Sequence, residues 1–108
     1  MELRKVTAIL RSSMLKQVEE RLKGMDVKGL SVSNVKGYGE YANFFTHDWM
    51  ITHSRIEIFT EKSNAERIAL AIMETAHTGK AGDGFIAVLP VEKIFRIRSG
   101  AEARIDEI

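Results

Sequence analysis

The chain has 108 residues, a mass of 12.2 kDa, 44% hydrophobic and 29% charged residues, and a formal net charge of +1. These values predict one globular domain and exclude a disordered chain, and the weak net charge disfavours nucleic acid or an anionic membrane as a partner. No apolar run approaches the ~18 residues of a spanning helix, no secretory signal is recognisable, and the absence of cysteine excludes disulfides and fits a reducing cytoplasm.

The first part of the chain predicts a strand, a helix and a second strand. Leu3–Leu10 alternates apolar and polar side chains, as in a strand with one buried face. Ser12 and Ser13 then stand where they can cap a helix, and Gly24 stands where that helix would end. The apolar stripe of this helix consists of Leu15, Val18, Leu22 and Met25. Gly29–Val35 returns to a strand pattern.

A long loop is predicted from Tyr38 to about Ser54, because no period is sustained there. Long loops inside small domains are usually functional. Five of the eight aromatic residues lie in it, namely Tyr38, Tyr41, Phe44, Phe45 and Trp49. Rings of this size either pack against a neighbouring subunit or meet a partner protein, and the sequence favours neither alternative.

A third strand and a second helix are predicted after the loop. Arg55–Thr60 has the strand pattern, and Ser63 and Glu66 have the spacing of a capping box. The apolar face of the helix consists of Ala65, Ile68, Ala69, Ile72, Met73 and Ala76. Gly79 is placed to end it.

The last part of the chain predicts two further strands. Lys80–Gly84 is a glycine-rich turn, and the apolar run Phe85–Leu89 is typical of a central strand that Pro90 would end. Ile94–Arg98 predicts a short final strand, and the polar segment from Ser99 predicts a mobile tail.

This order of elements, β-α-β-loop-β-α-β with a short extra strand, favours an α+β, ferredoxin-like fold with both helices on one face of an antiparallel sheet. Apolar residues also occur on the second face of several strands, as Val6 and Ile9 or Ile58 and Phe59 illustrate. We therefore expect other subunits to cover the second face in a homo-oligomer.

Two features of the sequence are candidates for anion binding. Arg96 and Arg98 would share one face of the final strand about 6.6 Å apart, where they either grip a phosphate or carboxylate or decorate an edge strand. The turn Gly82-Asp83-Gly84 can direct backbone N–H groups at an anion, although most such turns are only turns.

The remaining candidates are less specific. Lys36–Gly39 reads equally well as a hinge at a strand end or as a close backbone approach to a ligand. His47, His53 and His77 lack metal-ligand spacing, so we expect no metal. No nucleophile motif is present, and an enzyme is therefore disfavoured.

Four segments together resemble the PII signal-transduction family, in the right order over nearly the whole chain: Val35–Gly39, Arg55–Ile58, Thr75–Gly84 and Arg96–Gly100. The resemblance implies a non-enzymatic regulator that is a ferredoxin-like homotrimer of one domain spanning residues 1–108. It also implies an adenine nucleotide in each cleft between subunits, and a T-loop at about 38–54 that docks on a transporter or enzyme. The B-loop would lie at about 79–85 and the C-terminal segment at 96–108.

The resemblance also assigns residues to the nucleotide site. By position they are Ser31, Gly37, Tyr38, Gly39, Phe59, Gly82, Asp83, Gly84, Phe85, Arg96 and Arg98. The two arginines would reach the phosphates from the neighbouring subunit, and the resemblance therefore favours anion binding over decoration of an edge strand.

Several positions depart from the pattern of the family. Phe85 stands where a lysine usually follows Gly-Asp-Gly, Glu40 replaces an arginine, Tyr41 replaces a glutamine that helps to hold magnesium and 2-oxoglutarate, and His53 replaces a lysine that pairs with 2-oxoglutarate. The loss of positive charge predicts that ADP or AMP binds better than ATP and that 2-oxoglutarate does not bind.

Similarity to PII-like branches with altered T-loops adds a small anion such as bicarbonate near Glu40, Tyr41 and His53. It also implies a protein partner, either a membrane transporter or a carboxysome-related protein. The alternative within the family is a regulator of a nitrogen or metal membrane transporter, and the alternative outside it is a small enzyme on the same fold.

Overall fold

Six strands and two α-helices make up the part of the chain that the computed structural model describes, residues 2–37 and 51–108. The strands are β1 (Leu3–Leu10), β2 (Ser31–Gly37), β3 (Ile51–Glu61), β4 (Gly84–Val91), β5 (Phe95–Arg96) and β6 (Ala101–Glu102). The helices are α1 (Leu15–Lys23) and α2 (Lys62–Ala76), and short 3-10 turns form at Ser12–Met14 and Ile105–Glu107. The part described contains no helix long and apolar enough to cross a bilayer.

Strands β1 to β4 form one antiparallel sheet in the order β2-β3-β1-β4. The central strand β1 places Val6 opposite Ile58 of β3 and Val88 of β4. Helix α2 packs against β1, β3 and β4, and α1 packs against α2, so both helices bury their apolar residues in the core on one side of the sheet. This arrangement confirms the predicted ferredoxin-like fold.

The core lies between the sheet and the two helices. Alternate residues of β1 and β3 face it because side chains of a strand point to opposite sides in turn. The helices contribute residues spaced three and four apart, so each presents one apolar stripe. The buried members are Val6, Ala8, Leu10, Val18, Leu22, Ile56, Ile58, Ala65, Ile68, Ala71, Ile72 and Ala76.

The described residues of one chain leave the other side of the sheet uncovered. Glu57 in the middle of it pairs with Lys5 (Nζ–Oε2, 3.6 Å) and Arg55 (Nε–Oε1, 3.3 Å). Phe59 and Phe85 flank this charged cluster and are each 47% exposed. An open face that carries large aromatic rings is suited to contact with another subunit, and the predicted coverage by other copies stays a prediction.

Among the helix ends that the sequence predicted, Gly24 caps the C-terminus of α1 as expected. Helix α2 ends at Ala76, before the predicted Gly79, and the predicted N-terminal caps of both helices are wrong. Ser12 belongs to a 3-10 turn, and its hydroxyl hydrogen-bonds Ser54 Oγ at 2.8 Å instead of the helix backbone. Helix α2 begins at Lys62, one residue before Ser63, and its N-cap Glu61 makes no side-chain capping bond. These helices are therefore stabilised by their buried stripes more than by their termini.

Three strands differ from their predicted bounds. Strand β2 begins and ends two residues later than expected. Strand β3 begins at Ile51, so residues 51–54 of the predicted 38–54 loop belong to a strand. Strand β4 continues past Pro90 and is an edge strand of this sheet, not a central one. A proline is tolerated on an edge because its missing N–H can face away from the ladder.

The predicted final strand and mobile tail are also different. Only Phe95–Arg96 is extended, and it pairs with Ala101–Glu102 in a hairpin whose turn contains Arg98. Arg96 and Arg98 therefore do not share the face of one strand. The segment after the hairpin is ordered as well, because Ala103 is 5% exposed and a 3-10 turn follows it.

Candidate functional site

A glycine loop, residues 78–84, leads from α2 into the first residue of β4 and is closed by Asp83. The Asp83 carboxylate accepts hydrogen bonds from the backbone N–H groups of Thr78 and Gly79, both at 2.9 Å, and from the Thr78 hydroxyl. Gly79, Gly82 and Gly84 have positive φ angles, which let the loop turn tightly around this carboxylate. The Asp83 carboxylate therefore faces the inside of the loop, and the predicted place of Asp83 in a nucleotide site stays a prediction.

Arg11, directly after β1, is a residue of this loop's surroundings that sequence reasoning missed. Its Nε donates to Asp83 Oδ1 at 3.2 Å, and its Nη2 donates to the carbonyl of Ala81 at 2.7 Å. A Cβ on Gly82 would lie 3.1 Å from Arg11 Nη2, so the glycine lets the guanidinium lie against the loop. The only available signal was an arginine directly after a predicted strand.

Hydrogen bonding keeps Asp83 ionised. The Thr78 hydroxyl, the N–H groups of Thr78 and Gly79, and the Arg11 guanidinium together lower the pKa of Asp83 well below its usual range, against a smaller opposing effect of burial. A carboxyl group with a lowered pKa stabilises the fold above its unfolded-state pKa and loses that contribution as the pH falls.

We expect Asp83→Asn to lower the free energy of unfolding by about 1–3 kcal/mol at neutral pH, because an amide cannot accept all these bonds. The difference from wild type should shrink as the pH falls below about 4, since wild-type Asp83 then becomes protonated in the unfolded chain. Urea unfolding at a series of pH values measures this. A difference that is constant from pH 7 to pH 3 would contradict the role of the ionised carboxylate.

His53 links β3 to the glycine loop. Its Nε2 lies 3.0 Å from the carbonyl of Gly82, to which it donates, and the residue is 4% exposed. The histidine predicted for a small-anion site is thus next to the loop but covered. The other two residues of that predicted site, Glu40 and Tyr41, lie outside the described residues.

Two further predicted nucleotide positions lie at this same end of the sheet. Phe85 follows the glycine loop on β4, pairs with Ile9, and points to the uncovered face. Gly37 ends β2 opposite Ile51. Tyr38 and Gly39 follow Gly37 and lie outside the described residues.

A second group of predicted positions lies at the opposite end of the sheet. Ser31, Phe59 and Arg96 line one cleft of about 310 Å³, which is completed by the C-terminal residues Glu107 and Ile108. Arg96 Nε is 3.2 Å from Glu107 Oε2. Arg98 lies nearby in the β5–β6 turn.

The fold keeps these two groups apart within one chain. Ser31 and Gly37 are the two ends of β2, six residues apart, which is about 20 Å along a strand. The Gly37 end of β2 lies at the end of the sheet where the glycine loop is, since Val35 pairs with His53, which bonds the loop. The Ser31 end of β2 lines the cleft at the other end. One small ligand can touch both groups only where the two ends come from different copies of the chain.

The described residues contain no group of three or more His, Asp or Glu side chains placed to hold a metal ion. Cationic and backbone groups dominate instead, with Arg11 at one end of the sheet and Arg96 and Arg98 at the other. Guanidinium and backbone N–H groups of this kind can recognise an anion.

Comparison with known proteins agrees with this reading. The family model "Nitrogen regulatory protein P-II" matches residues 3–101. The nitrogen regulatory protein P-II of Azospirillum brasilense is 36% identical over 106 residues, which is 91% of this chain and 94% of the relative. The nitrogen regulatory protein P-II 1 of Methanothermobacter thermautotrophicus is 36% identical over 109 residues, covering 94% and 95% of the two chains.

A solved structure is similar over the same length. The crystal structure of Arabidopsis thaliana PII bound to citrate superimposes with a TM-score of 0.81 at 35% sequence identity, covering 94% of this chain and 89% of that one. Members of the P-II family are non-enzymatic signalling regulators that bind small effector ligands and act as trimers on partner proteins. With a family model that matches almost the whole chain and relatives above one-third identity over nearly their full length, this chain belongs to the PII family of signalling regulators.

Proposed function

We propose that this chain is a cytoplasmic, homotrimeric PII-type regulator that binds an adenine nucleotide in each cleft between copies, prefers ADP or AMP to ATP, and acts on a protein partner through the 38–54 loop. One observation carries the proposal. The positions assigned to the nucleotide fall into two groups about 20 Å apart, at opposite ends of one sheet.

The separation of the two groups explains why an oligomer is needed. When the Gly82–Gly84 end of one copy meets the Arg96 end of the next, the contact joins unlike surfaces. Such head-to-tail contacts form a ring when the rotation between copies closes, as it does in a trimer. The uncovered sheet face, with Phe59 and Phe85 each 47% exposed, supplies apolar area for this contact. A site built in this way exists only in the assembled protein.

The chemistry of the two ends suits a phosphate chain. The glycine loop offers backbone groups close to an anion, because Gly82 and Gly84 carry no side chain and have positive φ angles. Arg96 and Arg98 of the next copy add guanidinium groups, which bind phosphate with two donors at once. The apolar ring of Phe85 borders the loop without supplying charge, and this supports the preference for fewer phosphates.

The proposal includes a small anion, bicarbonate, beside the glycine loop and near Glu40, Tyr41 and His53. Support comes from His53, which is joined to the loop through the Gly82 carbonyl at 3.0 Å. Since His53 is 4% exposed, entry of an anion requires the loop to move. Occupation of this position would therefore be coupled to the loop that also borders the nucleotide.

The alternative within the family is a regulator of a nitrogen or metal membrane transporter. The names of the relatives, nitrogen regulatory proteins, favour it. A carbon-side regulator, with a membrane transporter or a carboxysome-related protein as partner, is favoured by the residues that stand at the 2-oxoglutarate positions, namely Tyr41 and His53. The two readings differ in whether 2-oxoglutarate binds.

Calorimetry with AMP, ADP, ATP, bicarbonate and 2-oxoglutarate, together with light scattering, tests the proposal. We expect about three chain masses, tighter binding of ADP or AMP than of ATP, and no binding of 2-oxoglutarate. A stable monomer that binds no nucleotide would overturn the intersubunit site. Binding of 2-oxoglutarate together with ATP would instead support the nitrogen regulator.

A further inference from the structure

The C-terminal segment 101–108, here called the tail, begins with strand β6 and is tied to the body of the chain by further hydrogen bonds. The N–H of Ala103 donates to the carbonyl of Ile94 at 2.8 Å, and Ala103 is 5% exposed. Further along, Lys28 Nζ donates to the carbonyl of Asp106 at 2.7 Å. These contacts bring the 3-10 turn Ile105–Glu107 over the end of the sheet where β2 begins.

Glu107 is held between two guanidinium groups in this arrangement. Its Oε2 lies 3.2 Å from Arg96 Nε, and its Oε1 lies 3.3 Å from Arg104 Nε. The same Oε1 accepts a hydrogen bond from the N–H of Arg104 at 2.9 Å, which positions the side chain. The Glu107 side chain is 22% exposed, so the carboxylate is largely enclosed.

The position of Glu107 matters because of what else lines the same cleft. Ser31, Phe59 and Arg96 are there, and all three are residues that the proposed function assigns to the nucleotide. In the free chain the Glu107 carboxylate is therefore paired with the Arg96 guanidinium, the group that would bind a phosphate of the nucleotide.

We propose that Glu107 is an internal competitor for Arg96, which the phosphate of a bound nucleotide must displace, and that nucleotide binding thereby loosens the tail. This inference rests on the proposed function. A phosphate group carries more charge than a carboxylate and presents oxygens to the same planar donors, so it can replace Glu107. The Arg96 side chain is 46% exposed, so solvent screens this ion pair and keeps it weak. The competition should therefore weaken nucleotide binding about two- to fivefold.

A double-mutant cycle tests the competition. Glu107→Gln removes the charge but keeps an oxygen for the Arg104 N–H, and we expect it to tighten ADP binding about two- to fivefold. Arg96→Ala should weaken ADP binding about tenfold. In the Arg96→Ala background, Glu107→Gln should have no further effect, because the group for which it competes is gone.

Asp106→Asn is the matched control. It removes one negative charge from the neighbouring residue, whose side chain pairs with Arg104 (Oδ1–Nε, 3.4 Å) and not with Arg96. We expect ADP affinity to stay near that of wild type. If Asp106→Asn tightens ADP binding as much as Glu107→Gln, the effect is a general one of net charge and the competitor role is overturned.

The remaining outcomes separate this inference from the proposed function. Clear ADP binding with equal affinity in wild type and Glu107→Gln would overturn the competitor role and leave the nucleotide site standing. No ADP binding by any of the variants would overturn the nucleotide site, and the competitor role with it.

Hydrogen exchange of the tail gives an independent readout. The peptide 101–108 should exchange faster in Glu107→Gln than in wild type, without any nucleotide. Wild type should exchange faster there when ADP is added. Unchanged or slower exchange on ADP binding would show that the tail is not displaced and would overturn the inference.

Discussion

Replacing Gly84 with alanine is expected to lower the free energy of unfolding by about 3 kcal/mol or more. Gly84 is the first residue of β4 and has a φ of +97°, which an L-residue rarely adopts. A Cβ there would lie 1.8 Å from the carbonyl oxygen of Ile9 and 2.8 Å from its carbonyl carbon. These are backbone atoms of the central strand, so relief requires β1 and β4 to separate.

Two other glycines give matched controls for this variant. Gly100 also has a positive φ, +67°, but a Cβ there would meet nothing within 4 Å. Gly100→Ala therefore measures the effect of the backbone angle alone, and we expect it to lower the free energy of unfolding by about 1–2 kcal/mol. Gly29 has open space around it, and Gly29→Ala should be neutral or slightly stabilising. Denaturant unfolding of the three variants ranks them. Equal losses for Gly84→Ala and Gly100→Ala would show that the contact with Ile9 is not the cause.

The fold could be predicted from the sequence because the buried residues follow the local period of each strand and helix. Val6, Ala8 and Leu10 alternate along β1, and Val18 and Leu22 repeat along α1, and all five are buried. The ends of elements were less predictable. Serine is compatible with a cap, but Ser12 bonds to Ser54, 42 residues away, and such a partner cannot be read from neighbouring residues.

The predicted position of β4 in the centre of the sheet was wrong for a similar reason. An apolar run such as Phe85–Leu89 indicates burial on both faces, which a central strand normally provides. Within one chain β4 is an edge strand, and Phe85 and Leu89 are 47% and 39% exposed. Apolar residues on the uncovered face of an edge strand are what a subunit interface requires, so the sequence carries information about an assembly that one chain does not contain.

The candidate site could be predicted only in part. Motif resemblance pointed to Gly82–Gly84 and Arg96, but it did not show what those residues contact. Asp83 is bound by Arg11, which is 72 residues away in sequence, and Arg96 is bound by Glu107 of the tail. Both partners are ordinary charged residues without a motif. Only the folded structure shows that Arg11 and Glu107 contact the site, because ion pairs between distant elements leave no local pattern in the sequence.

Phe85→Lys is expected to raise the affinity for ATP by about tenfold while changing that for AMP much less. Phe85 directly follows the glycine loop and points to the uncovered face, where a lysine ammonium would add positive charge next to the phosphate chain. One hydrogen bond to a charged group contributes about 1.5–3 kcal/mol, and part of this is lost to solvent at a half-exposed position. Adding Glu40→Arg should increase the preference for ATP further, since it replaces a repulsive charge.

Leu89→Lys is the control for Phe85→Lys. Leu89 lies on the same face of β4, four residues or about 13 Å from Phe85, and is 39% exposed. The Leu89→Lys substitution therefore adds the same charge to the same strand, but away from the glycine loop. Calorimetry should show a higher ratio of ATP to AMP affinity for Phe85→Lys and an unchanged ratio for Leu89→Lys. The ratio is the informative quantity, because a gain shared by all nucleotides reports only a more basic cleft. A wild-type protein that already prefers ATP tenfold, or a ratio that Phe85→Lys leaves unchanged, would mean that Phe85 does not determine nucleotide choice.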